Sequence, residues 1–277
     1  MSEREISGNI DLNRSHQYIL SIRLSTDGFS FSICNPLSDS SIYYLQKETD
    51  PSLSFAANLK QAFREIEFLC YPFKKVNIMI INKRFTLVPF ELFDDEQNEA
   101  IFYYNHSEKE NEEVLYNILK KSNIAVLFGI DRSIFLLIKG YYPDARFYCQ
   151  TATLIEYFAV KSRPGDSRKM YVHLNPDSID VFCYEKGHIL LINSFNCKVT
   201  EDRVYYLLYT WKQLQLDQEK DELYLTGNLR DRYNLLKELQ RFILQVYIMK
   251  STEEINNFPN KIADKVPFDM QIFSLNK

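Results

Sequence analysis

From Tyr18 to Leu24 apolar and polar residues alternate, and the alternation resumes at Phe29, Phe31 and Ile33 after the turn signal Thr26-Asp27-Gly28. This predicts two antiparallel strands joined as a β-hairpin. Asn35-Pro36 breaks the second strand, and Ile42 to Leu45 supplies a third. Beyond Pro51-Ser52 the apolar positions fall at steps of three and four, through Phe55, Leu59, Phe63, Ile66 and Leu69, the period of one helix face. Pro72 ends that helix, and Val76 to Ile81 reads as a buried strand. The predicted order is three strands, a helix and a strand.

The same order recurs later. Met170 to Leu174 reads as a strand, Asn175-Pro176-Asp177 as a turn, and Ile179, Val181 and Cys183 as a second strand. Lys186-Gly187 turns into a third, Ile189 to Ile192. Thr200 is placed to cap a helix with acids in its first turn and Val204, Leu207, Leu208, Trp211 and Leu214 facing inward. A strand from Leu223 to Thr226 follows. Leu24 and Leu174 lie 150 positions apart, as do Asp27 and Asp177; Ile42 and Ile189 lie 147 apart, as do Val76 and Leu223. The repeat rests on element order and apolar register, not on identity.

Between the repeats the pattern predicts a helix over 111–121, a strand over 124–128, a helix over 132–139, a strand over 146–149 and a helix over 152–161. Residues 161–169, with Pro164-Gly165-Asp166-Ser167, read as a linker. After Thr226 it predicts a long helix over 231–249 and a closing strand over 266–273. The domain reading is therefore a first half over 1–164, with an insertion near 84–110, and a second half over 165–277.

Composition narrows the chemistry. Lys plus Arg is 33 against 37 Asp plus Glu, a net charge of −4, and no basic run stands out, so nucleic-acid binding is not expected. The longest apolar run, 124–130, is far shorter than the roughly 20 residues of a membrane helix. Met1 to Gln17 does not resemble a signal peptide. We read the protein as cytoplasmic, with no membrane insertion. The five cysteines form no Cys-x-x-Cys pair and the four histidines lack metal-ligand spacing, so no metal and no catalytic thiol are expected. Glycines number only 7, against 19 tyrosines and 20 phenylalanines.

Two halves of three antiparallel strands, helix, strand, helix and strand resemble the superfamily of actin, sugar kinases and Hsp70, which pairs ribonuclease-H-like domains. The resemblance implies an α/β fold of two duplicated halves, each a mixed sheet with the order βββαβαβ. In the second half, the segment from Tyr171 to Val181 fits without a gap the strand that reads roughly Val-Val-Asp-Ile-Gly-Gly-Gly-Thr-Thr-Asp-Val in that superfamily. Leu225-Thr226-Gly227-Asn228 falls where it has its adenosine-contacting Gly-Gly. The pilus-assembly and cell-division members are similar in style. The chain also resembles an uncharacterised Bacteroidetes family, domain of unknown function 3822, assigned to this fold.

Departures from the pattern bear on function. Where the superfamily opens each half with a magnesium-orienting Asp, this chain has Arg23 and His173. Asn175, Pro176 and Asp177 replace the glycine triplet whose amides approach phosphate, and Pro176 carries no amide hydrogen. Gly227 is kept, Asn228 replaces its neighbour, and no Gly-x-Gly occurs. Asp180 matches the last Asp of the strand motif, but a lone carboxylate also serves as a satisfied turn residue. Asp27, with Gly28, equally shapes a hairpin turn. Arg23 and His173 are read as structural, with metal-free anion binding as the other use of that pair.

These positions imply no cofactor and no catalytic residue. The leading reading is a non-catalytic protein-interaction or scaffold protein on a degenerate actin-like ATPase fold, with another protein as its partner. The alternative is a diverged ATP-binding ATPase or phosphotransferase; a nuclease would need clustered carboxylates that are missing here. Adjacent aromatics such as Tyr43-Tyr44, Tyr141-Tyr142 and Tyr205-Tyr206 cannot both face one core. Phe102, Tyr103 and Tyr104, in the insertion beside the acidic run Asp94-Asp95-Glu96, are the expected exposed partner-binding surface.

Overall fold

Alternation at 19–25 and 28–34 does produce strands, but strands buried on both faces, so serines as well as leucines lie inside. The computed structural model of the chain describes residues 3–6, 11–25, 28–37, 42–227, 232–249 and 266–275. These fall into two compact units. One runs to Thr153 and takes in the chain end from Ile272; the other begins at Leu154 and takes in residues up to Gln271.

In the first unit, β1 (Glu3–Ile6), β2 (Ile19–Ser25), β3 (Gly28–Cys34), β4 (Ile42–Glu48), α1 (Phe55–Glu65) and β5 (Lys75–Ile80) come in sequence. Ser54 caps α1, accepting from the Ala57 N–H at 3.2 Å. Next come β6 (Phe85–Pro89), α2 (Asn98–Asn105), β7 (Glu112–Leu119) and β8 (Ile124–Asp131), and then α3 (Arg132–Tyr141), β9 (Arg146–Cys149) and α4 (Gln150–Lys161). The second unit holds β10 (Lys169–Asn175), β11 (Ser178–Glu185), β12 (His188–Asn196), α5 (Thr200–Gln213), β13 (Glu222–Gly227), α6 (Arg232–Leu239), β14 (Gln245–Ile248) and α7 (Phe268–Leu275). The boundary between the units runs through α4, and a second crossing runs through α7.

Both sheets share one topology. The first has the order β1-β4-β3-β2-β5-β9 and the second β12-β11-β10-β13-β14. In each, three antiparallel strands are extended by two parallel ones, and β1 adds a sixth strand, antiparallel to β4, at the edge of the first. Ser25 pairs with Gly28 in the first hairpin and Asn175 with Ser178 in the second, while Leu24 pairs with Ile80 and Leu174 with Gly227. The offsets of 150 and 147 read from the sequence are the offsets of these registers. A β-bulge between Cys183 and Tyr184 brings Ile189 opposite Tyr184, as Ile42 is opposite Cys34. The Lys186-Gly187 turn has φ of 49° and 90°, the double positive φ of a type I′ hairpin.

Two helices cover one face of each sheet. In the second unit Leu207 and Trp211 of α5 and Leu235 and Leu239 of α6 pack on Met170, Val172, Leu174, Ile179 and Val181. In the first, rings of Phe29 and Phe55 meet at 5.1 Å, and Phe63 of α1 stacks on Tyr141 of α3 at 4.3 Å.

Three predicted elements are corrected. Residues 111–121 are not a helix: β7 runs through them, paired with β8 from Glu112 to Leu119, and Val114, Leu115, Ile118 and Leu119 mimic helical spacing only by their clustering. The helix expected over 231–249 stops at Leu239, because 245–248 pair in parallel with β13. Residues 266–273 hold α7 instead of a strand; a short apolar run does not distinguish the two states, and every side chain from Phe268 to Phe273 is buried. Helix α5 begins at Thr200, but its cap residue is Val199, without a side-chain cap bond.

Strands β6, β8 and β7 form a separate antiparallel sheet in that order, and α2 packs on it through Phe102, against Val88, Val114, Ala125 and Leu127. Asn117 fastens it to the main sheet: its Nδ2 donates to Phe147 O at 2.9 Å and its Oδ1 accepts from the Cys149 N–H at 2.8 Å. A side-chain amide thereby occupies the open edge of β9, where an unpaired strand would otherwise be exposed.

Candidate functional site

Strands β10 and β13 end side by side, and the residues singled out in the second half collect there. His173 is 3% exposed, on the opposite face of β10 from Val172 and Leu174. Its Nδ1 lies 3.2 Å from Thr226 Oγ1, and the Thr226 hydroxyl donates to Val172 O at 3.0 Å. The Thr226 hydroxyl thus bridges the His173 ring and the β10 backbone. Phe268 stands 6.2 Å from the imidazole, ring to ring.

Asp180 is directly opposite His173 in the register. Asn175 Nδ2 donates to its Oδ2 at 2.9 Å, and the Ser194 hydroxyl donates to its Oδ1. Each carboxylate oxygen thereby accepts one hydrogen bond within the sheet. The turn Asn175-Pro176-Asp177-Ser178 is held from beneath by Arg203 of α5, 3% exposed, whose Nη2 donates to Pro176 O at 2.8 Å and to Cys197 O at 3.3 Å. The Cys197 N–H donates to Asp177 O at 3.0 Å. Pro176 and Asp177 are exposed, and neither has positive φ. The turn presents no N–H from Pro176 and no glycine surface.

Gly227 has a local reason to be glycine. Its φ is +85°, and a Cβ there would lie 2.5 Å from Leu174 O and 2.9 Å from Leu174 N. The close passage of β10 requires the missing side chain, whatever binds nearby. Gly28 is similar: its φ is +149°, and a Cβ would meet Lys47 O at 2.6 Å. Asp27 and Asn228 lie outside the described residues. Arg23, in the first unit, is 9% exposed among Ser21, Ser25, Ser30 and Ser32, all buried.

A pocket of about 150 Å³ opens in the first unit at the carboxyl ends of β2 and β5, lined by Leu24, Phe55, Ile80, Asn82, Asp131 and Ile134 among others. Strand ends of this kind are where open α/β sheets place ligands. Its polar groups already serve the fold. Asp131 accepts from the Ser133 N–H at 2.8 Å and the Ile134 N–H at 3.4 Å, capping α3. Burial raises its carboxyl pKa, but these bonds and those from the Ser133 hydroxyl and Asn111 outweigh it, leaving the group below its ordinary value. The sequence reading passed over Asp131; the signal was an Asp two residues before Ser133 and ahead of the apolar helix.

The aromatic triplet of the insertion is not one exposed surface. Phe102 is wholly buried, Tyr103 is half-buried and only Tyr104, 91% exposed, faces solvent. Consecutive helical residues point about 100° apart, and α2 spends Phe102 on its own core. Arg84 lies over the Phe102 ring, 5.5 Å from its centre, and pairs with Glu112 at 2.8 Å.

Among the described residues no group of three or more His, Cys, Asp or Glu side chains is placed to hold a metal ion. Nor is any of their helices long and apolar enough to cross a membrane. Burial pushes the Cys183 thiol up to about 12, far from a reactive thiolate.

The family model described as Protein of unknown function (DUF3822) matches residues 7–246. No curated protein matches the sequence. Among solved structures the chain is similar to a Bacteroides thetaiotaomicron VPI-5482 protein with actin-like ATPase fold and unknown function. They are 54% identical, the match covers 98% of this chain and 100% of that one, and the TM-score is 0.87. It is also similar to a chain of the PilM-PilN type IV pilus biogenesis complex, at 10% identity, 92% and 96% coverage and a TM-score of 0.57, a likeness of fold alone. The two sheets of one topology are the halves of an actin-like ATPase fold, in the expected order βββαβαβ.

Proposed function

Because the chain belongs to the family described as Protein of unknown function (DUF3822) and has an actin-like ATPase fold, we propose that it is a non-catalytic protein-interaction or scaffold protein whose nucleotide site is degenerate. One observation carries this reading: the Asn175–Ser178 turn and the groups around it are bonded to one another within the fold. Pro176 offers no amide hydrogen, Arg203 Nη2 donates to the Pro176 and Cys197 carbonyls, and Asp180 accepts from Asn175 and Ser194. Phosphoryl transfer needs positioned amides and a cation held by carboxylates. Gly227, the one glycine retained, is accounted for by the Leu174 backbone.

The reading is tested by phosphate release from magnesium-ATP by the full chain. We expect no release above that of a heat-treated sample. Saturable release that Asp180→Asn abolishes would move the assignment to a diverged ATPase or phosphotransferase.

A further inference from the structure

Helix α2 does not cover the whole of the sheet beneath it. Val114, Tyr116 and Ile118 share one side of β7, and α2 buries Val114 but leaves Tyr116 38% and Ile118 39% exposed. The Phe93 ring lies against Tyr116, centroids 4.9 Å apart. Phe90 and Leu92, on the short turn that leads into Phe93, are 44% and 71% exposed. Single exposed apolar residues are ordinary; a contiguous apolar strip with a charged border marks an interaction surface.

The segment that carries Phe90, Leu92 and Phe93 is of one sign. From Phe85 to Ser107 the chain has no Lys or Arg, whereas Glu91, Asp94, Asp95, Glu96 and Glu99 are all exposed. Asp94 fixes the backbone of this run by accepting from the Glu96 N–H at 3.0 Å. Lys120 and Lys121, exposed in the turn after β7, lie at the Phe90 end of the strip, where the Phe90 N–H donates to Asn123 O at 3.0 Å.

We propose that this strip is the docking surface for a basic amphipathic segment of another protein. Its apolar side chains would lie on Leu92, Phe93, Tyr116 and Ile118, and its Lys and Arg side chains would face the five carboxylates. The proposal rests on the interaction-protein reading and gives that reading a surface and a partner chemistry. A second copy of the chain fits less well, since a two-fold contact here would set acidic runs together with only two lysines per copy to offset them.

The test places a photo-crosslinking amino acid at Leu92, and separately at the exposed Tyr205 of α5, in the full chain in its own cells. At position 92 we expect a cross-link to a different protein, through a segment with apolar and Lys or Arg side chains. A synthetic peptide of that segment should bind the purified chain. Affinity should fall roughly tenfold or more in the variant Asp94→Lys, Asp95→Lys, Glu96→Lys, and fall with added salt. No cross-link at 92, a cross-link to a second copy, or a peptide indifferent to charge reversal would overturn the proposal. Silence at 92 with capture at 205 would sink this surface but leave the interaction-protein reading standing; silence at both would count against both.

Discussion

On the helix-covered face of the two sheets, residues 150 positions apart are alike in kind: Leu20 and Met170, Ile22 and Val172, Phe31 and Val181, Ile33 and Cys183, all buried. On the opposite face they are not. Ser21 stands against Tyr171, Ser30 against Asp180, and Ser32 against Phe182. In the second unit α4 packs on that face. Phe158 stacks on Tyr171 at 4.6 Å and 9° and meets Phe182 at 5.2 Å, and the Tyr184 hydroxyl donates to Ile155 O at 3.0 Å. In the first unit the equivalent face is polar, with Arg23 among serines and Tyr44 donating to Ser30 Oγ at 3.1 Å. One face therefore sets the topology, because two helices must bury against it, while the other is free to diverge. Arg23, His173 and Asp180 all lie on the divergent face, so each takes its role from its neighbours: serines around Arg23, a ring and a threonine beside His173.

Exchanging the two faces should give the largest effects. Phe182→Ala removes a fully buried ring from the aromatic stack and should cost about 3–5 kcal/mol. Ser32→Ala, at the equivalent position, should cost about 1 kcal/mol or less. Ser32→Phe should destabilise by about 1–3 kcal/mol through overpacking. Chemical denaturation checks all three; Trp211, the single tryptophan, lies in the second unit's core and its fluorescence reports that unit. A harmless Ser32→Phe would show that the two faces are equivalent after all.

Gly227→Ala should cost roughly 2–3 kcal/mol, from positive φ together with the clash on Leu174. Gly165→Ala shares the backbone conformation, with φ +81°, but has only Ser167 Oγ nearby at 3.9 Å, and should cost about 1 kcal/mol. Equal costs would show that the approach of β10 is not what demands glycine at 227.

A smaller effect belongs to α3. Asp131→Ala should cost about 1 kcal/mol at neutral pH by removing the cap. The Asp131 pKa is lowered on folding, so its contribution is present above the ordinary carboxylate value of 3.8 and is lost as pH falls through the lower folded value. The difference between variant and parent should accordingly shrink below about pH 4, as measured by melting temperature across pH 2–7.

Much of this was legible in the sequence because the register of the two hairpins is carried by large apolar residues at fixed offsets. The misread segments are those where tertiary context overrides local pattern. Residues 245–248 follow α6 with no Gly or Pro between them, so only the pairing of Val246 with Leu223 marks the strand. Residues 112–119 form an edge strand whose partner, β8, lies across a turn that carries Asn123 at φ 54°, a conformation that sequence alone leaves open for Asn. The candidate site was located by its offset to the superfamily motif. The commitment of Asp180 to Ser194 and of Arg203 to the turn was not legible, because both depend on contacts between separate elements.

The central claim is that the site is occupied by its own structural bonds and does not hold nucleotide. Its most direct test is the melting temperature of the full chain titrated with magnesium-ATP to millimolar concentration. A ligand at a hundred times its dissociation constant stabilises by about 2.7 kcal/mol, which for a chain of this size is a shift of roughly 5 °C or more. The account predicts no shift at any concentration. A saturable shift of that size, retained in Gly165→Ala and lost in Asp180→Asn, would contradict it.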